Sequence, residues 1–102
     1  MANVVLTYDL HGAEPLVYRN LDVALHKRHF VKEKGVDTVW KKTYADGIMP
    51  TETQAKKDFE SAAREAGAVK YTAKFFISGD QIHVASITTP LVSGPRGALG
   101  GR

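Results

Sequence analysis

Asp9 closes a short apolar, β-branched run, Ala2-Asn3-Val4-Val5-Leu6-Thr7-Tyr8-Asp9-Leu10. Such a run predicts a buried central strand, and the end of that strand is where a sheet delivers a side chain to a surface. A carboxylate there is available for metal binding or catalysis, which makes Asp9 the candidate catalytic and metal-ligating residue. It also has ordinary uses: aspartates end strands and accept backbone hydrogen bonds in turns such as Asp9–Gly12, and they make dimer contacts. No metal-ligand cluster, phosphate loop or nucleophile motif follows along the chain. His26 and His29 lie three apart near an expected helix end, where imidazolium suits the helix dipole, but they have no further ligands for a metal. His83 reads as a surface or interface residue.

The second chemically capable set is cationic. Fourteen Lys and Arg stand against eleven Asp and Glu, a formal charge of +3 that permits contact with polyanions without demanding it. Basic residues gather in His26-Lys27-Arg28-His29 and recur as Lys41-Lys42, Lys56-Lys57, Lys70 and Lys74. Lys27, Arg28, Lys41, Lys42, Lys70 and Lys74 are the candidates for a phosphate-facing patch that binds RNA or DNA. The alternative is a set of solvated faces, since acids are scattered among them. Trp40, Tyr71, Phe75 and Phe76 raise the idea of a base-stacking platform. Helices must cover one face of the sheet, however, and most of these aromatics are expected in the core or in a dimer contact.

At 102 residues the chain is sized for one domain with a modest core, burying roughly 60–65% of its surface, so that dimerisation would add useful burial. The absence of cysteine excludes disulfides, thiolate catalysis and Cys-ligated zinc, and it fits a reducing cytoplasm. The N-terminal apolar run is too short for a secretory segment and nothing reaches the length of a membrane span, so a cytoplasmic protein without a membrane partner is expected.

The elements that must position these residues follow from periodicity. Glu14 and Pro15 suit a helix start, and Val17, Leu21, Ala24 and Leu25 recur at helical spacing, predicting a helix from Glu14 to Arg28. Two β-rich runs, His29 to Glu33 and Val36 to Tyr44, flank Lys34-Gly35 as a hairpin. In the second, Val36, Thr38, Trp40, Lys42 and Tyr44 share one face, with Asp37, Val39, Lys41 and Thr43 on the other. Asp46-Gly47 and Pro50 break the pattern, and Thr51 with Gln54 has the spacing of a capping box opening a second helix. That helix turns Ala55, Phe59, Ala62, Ala63 and Ala66 inward and ends at Gly67. Val69, Tyr71, Ala73, Phe75 and Ile77 then alternate with polar residues, and Gly79-Asp80 leads into a last strand, Gln81 to Thr88.

The order strand, helix, strand, strand, helix, strand, strand predicts an α+β fold, a ferredoxin-like βαββαβ sandwich with an additional C-terminal β-strand and the first strand central. Residues 1–89 form the expected domain. Residues 90–102 form a glycine- and proline-rich tail with little to bury, expected to be flexible.

The Tyr8-Asp9 strand end, the helix after it, the Thr38-Val39-Trp40 strand and the second helix together resemble the Cas2-like ferredoxin-fold group over about residues 3–88. That group includes CRISPR-associated Cas2 proteins, VapD-type toxins and small SinR-family proteins. The resemblance implies a homodimer built through the sheets, with Asp9 matching the strand-end aspartate that faces its counterpart across the dimer axis. Some members are Mg²⁺-dependent endoribonucleases or deoxyribonucleases. The chemistry is sound, because magnesium takes one or two carboxylates plus waters and a bound metal activates water for attack on phosphorus. Tyr8, His11 and Thr38 are weak further candidates, Tyr8 pointing away from Asp9 by strand alternation.

Three functional classes remain. The first is a non-catalytic dimeric module that binds nucleic acid or a protein partner, favoured because basic residues are available and catalytic ones sparse. The second is a magnesium-dependent, toxin-like nuclease using Asp9 from both subunits. The third is a small inhibitor or adaptor acting through the edge strand after Gln81 or through the tail.

Overall fold

The computed structural model describes residues 1–35 and 39–89. The expectations for Val36, Asp37, Thr38 and the tail from Pro90 to Arg102 lie outside them. The elements are β1 (Ala2–Leu10), α1 (Pro15–Lys27), β2 (Val31–Lys32), β3 (Val39–Tyr44), α2 (Ile48–Ala66), β4 (Tyr71–Ser78) and β5 (Ile82–Thr88). All strands join one five-stranded sheet of order β2-β3-β1-β4-β5, and every pairing is antiparallel. The fold is therefore α+β, and β1 occupies the middle of the sheet. Among the described residues no helix is long and apolar enough to cross a membrane.

Strict alternation along β1 explains its central place. Val4, Leu6, Tyr8 and Leu10 are buried beneath the helices, while Asn3, Val5, Thr7 and Asp9 look the other way. Phe59 from α2 enters the core with no exposed surface, its ring 5.3 Å from Tyr71, 5.7 Å from Tyr8 and 6.2 Å from Phe75. Each fully buried side chain of this size contributes about 1.5–3 kcal/mol through removal from water. The alanines of α2, Ala55, Ala62, Ala63 and Ala66, are buried as well and let the helix backbone approach its neighbours closely.

Two boundaries differ from those the sequence suggests. Helix α2 opens at Ile48 with Gly47 as its N-cap, not at Thr51. Pro50 falls in the first turn, where a missing N–H costs nothing, so it starts the helix instead of breaking the chain. Thr51 and Gln54 do not form a box; both reach back to Asp46, Thr51 Oγ1 to its carbonyl at 3.3 Å and Gln54 Nε2 to its carboxylate at 2.6 Å. Strand β2 shrinks to Val31–Lys32 because the residues before it close α1. His29 takes a left-handed conformation (φ 70°), its N–H donates to His26 O, and Phe30 N–H donates to Leu25 O.

Candidate functional site

Helices cover one face of the sheet, and among the described residues the other is open. Register alignment assembles that open face row by row. Val31 of β2, Lys41 of β3, Val5 of β1, Phe76 of β4 and Val84 of β5 are successive partners in one row across all five strands. Val31 is 62% exposed, Phe76 40% and Val84 57%, and Ile82 in the next row is 76% exposed. Lys41 alone interrupts the apolar row. Beside it, on the β2 side, lies a hollow of about 390 Å³ lined by Asn3, Val5, His29, Val31, Lys41 and Thr43.

The candidate aromatics separate by strand phase. Trp40, Tyr71 and Phe75 are buried on the covered face, with Trp40 Nε1 lacking a hydrogen-bond partner among the described residues. Phe76 is the one of the four that faces out.

The six candidate cations separate too. Lys27 and Arg28, at the end of α1, both reach Glu65 of α2, at 2.7 and 3.1 Å, and Arg28 also donates to Ser61 Oγ and Ala24 O. Those two cations hold the Glu65 carboxyl below its ordinary pKa, Lys27 contributing most. Lys42 lies on the covered face, 3.0 Å from Asp58 and over the rings of Tyr44 and Phe30. Tyr44 donates to the same Asp58 oxygen at 2.7 Å, and burial followed by that carboxylate pushes its phenol pKa upward. Lys41, one residue away, stands on the open face with Glu33 at 2.8 Å. Lys70 and Lys74 have no ion-pair partner among the described residues, and Lys74 shares the open side of β4 with Phe76. Lys41 and Lys42 therefore face opposite sides of the sheet, and the six cations do not form one patch.

Asp9 is exposed on the open face, in register with Thr72 between the levels of Lys70 and Lys74. It accepts no hydrogen bond and forms no ion pair among the described residues, so the turn-capping use is not the one seen. Tyr8 points to the covered face and donates to Asp22 Oδ1 at 3.3 Å. Burial, then the Asp22 charge, pushes its phenol pKa far up. His11 lies near Asp9 in the chain but bonds Thr72 Oγ1 at 3.3 Å and lines a separate hollow with Glu14 and Lys70. No group of three or more His, Cys, Asp or Glu side chains gathers among the described residues. A lone Asp9 supplies the minimum of a magnesium site, whose remaining ligands would be waters, substrate phosphates or a second carboxylate from another copy.

Neither the hollow nor the role of Val31 in the apolar row is marked by any motif, because both depend on a two-residue strand finding β3. No family model, curated protein or solved structure matches the chain.

Proposed function

We propose that the chain is a small non-catalytic binding module, a ferredoxin-like sandwich of the Cas2-like kind, whose open sheet face takes a single strand of nucleic acid. The order β2-β3-β1-β4, with β5 added beside β4 and the helices on one face, supports the ferredoxin-like assignment. The observation that carries the function is the open face itself. It offers an exposed aromatic ring, Phe76, on the same strand face as Lys74, which has no ion-pair partner among the described residues, with Lys41 two strands away and a hollow beyond Val5. Aromatic faces stack on any base and lysines hold the phosphates between them.

Anisotropy of a labelled oligothymidylate or oligouridylate tests this reading. Phe76→Ala is expected to weaken binding by roughly 5- to 150-fold, the loss of about 1–3 kcal/mol for one stacked base. Lys74→Ala is expected to flatten the dependence of log affinity on log salt by about 0.7. Binding that is absent, or indifferent to salt, overturns the proposal.

A magnesium-dependent nuclease is the second reading, favoured by the solvent-facing carboxylate of Asp9, which has no partner among the described residues. One substitution separates the two. Asp9→Asn removes a negative charge from between Lys70 and Lys74, so it tightens binding by a simple platform. In a nuclease it abolishes magnesium-dependent cleavage. Cleavage by wild type that Asp9→Asn removes would displace the first reading.

A further inference from the structure

The two edges of the sheet are built differently. Strand β2 is an edge of two residues, Val31–Lys32, short and carrying a lysine. Natural sheets protect their edges in this way against pairing with other chains. Strand β5 is an edge of seven residues, Ile82 to Thr88, with no Lys, Arg, Asp, Glu or Pro, and it pairs with β4 in unbroken register from Ile82↔Ser78 to Thr88↔Thr72. No bulge turns it aside, and no described segment pairs with its outer side.

The hydrogen-bond phase shows what that side presents. Thr89 N–H donates to Tyr71 O at 3.0 Å, so Tyr71 and Thr89 stand opposite as a hydrogen-bonded pair. Antiparallel alternation then directs the backbone groups of Ile87, Ala85 and His83 toward β4 and those of Thr88, Ser86, Val84 and Ile82 outward. Unpaired N–H and C=O groups in this spacing accept an antiparallel strand. We propose that β5 pairs with β5 of a second copy of this chain across a two-fold axis at Ala85, forming a ten-stranded sheet.

Three features favour a second copy over a foreign strand. A two-fold at Ala85 sets Ile82 opposite Thr88 and Val84 opposite Ser86, so every outward residue of the strand finds an outward residue. The strand carries no Lys, Arg, Asp or Glu and the register sets His83 opposite Ile87, so it meets itself without like charges opposed. The exposed side chains of Val84 and Ile82 are also at the edge, so the open faces of the two protomers join into one surface. The same geometry puts the two Asp9 residues five strand spacings apart across the sheet, about 24 Å, and six residues apart along it, roughly 20 Å, too far to share one magnesium ion. This pairing needs no nucleic acid and stands whether or not the open face binds one.

Sedimentation velocity and light scattering of the full chain test it. Wild type is expected at twice the 11.2 kDa of one chain. Ser86→Pro removes an outward N–H and no bond to β4, so its expected mass is that of a single chain with unchanged circular dichroism. Val84→Lys places a charge on the edge and gives the same result, and it decides the matter if the proline variant does not fold. Phe76→Ala keeps the doubled mass. A wild type of single-chain mass, a doubled mass in both edge variants, or a monomer on Phe76→Ala overturns the proposal, the last by transferring the contact to the open face.

Discussion

The two faces of one sheet handle polar groups in opposite ways. On the covered face the polar side chains near the core are tied down, Trp40 Nε1 excepted: Tyr8 to Asp22, Tyr44 and Lys42 to Asp58, and Lys32 to Asp22 while lying over the Trp40 ring. Burial makes an unpaired polar group costly, so these residues answer to stability. Across the same strands the open face leaves Asp9 and Lys74 without ion-pair partners among the described residues, and it exposes Phe76 and Val84. Water solvates those charges, and nothing in the described fold needs the exposed rings and methyls. The alternation that builds the core thus also separates residues that hold the protein together from residues available to a partner.

The sharpest test of that separation compares two phenylalanines. Phe59→Ala empties the centre of the aromatic cluster and is expected to cost about 3–5 kcal/mol, read as a lowered urea midpoint. Phe76→Ala should move the same midpoint by less than about 1 kcal/mol while weakening oligonucleotide binding; the value for a half-exposed ring is a fraction of full burial. Equal losses of stability would erase the distinction between the faces.

A smaller effect is expected from neighbours on β3. Tyr44→Phe removes a hydrogen bond to the Asp58 carboxylate from a buried ring and is expected to cost about 1.5–3 kcal/mol. Thr43→Val next to it breaks an exposed bond to Asn3 Oδ1 and should stay within about 0.5 kcal/mol.

A weaker effect than that of Tyr44 lies at the rim of the covered face, where α2 meets β5. Glu52 accepts from Lys56 at 2.8 Å and bonds His83 Nε2 at 2.7 Å. Lys56 first, and then His83, hold its carboxyl below the ordinary range against a partial desolvation that raises it. A lowered folded-state value means that this stabilisation is present above the unfolded-state pKa of about 4.3 and is lost as pH falls through the folded value. Wild type and Glu52→Gln should therefore differ by no more than about 1 kcal/mol at neutral pH and converge in strong acid. Urea midpoints across that range measure it, and curves that stay parallel would detach Glu52 from the acid response.

Much of the framework was legible before any coordinate. Alternation identified the buried side of β4, helical spacing identified the inward alanines of α2, and Gly67 marked its end, where it adopts φ 86°. These signals are local: each depends on residues within one turn or one pleat of each other. The start of α2 was misplaced because Pro50 reads equally as a breaker and as a first-turn residue, and only the path into the helix distinguishes them. The opposite facing of Lys41 and Lys42 follows from strand period alone, yet proximity in the chain invited their grouping into one patch.

The sequence by itself determined which residues share a strand face or a helix stripe, because backbone geometry repeats every two or 3.6 residues whatever surrounds it. Only the tertiary structure decided which cations are neutralised. Lys27 and Arg28 meet Glu65, and Lys42 meets Asp58, across separations that no local period encodes. It likewise decided that Phe76 lies beside Val5 and Val84, and that β5 is an edge of the described sheet, since register and strand order are set when whole elements pack together.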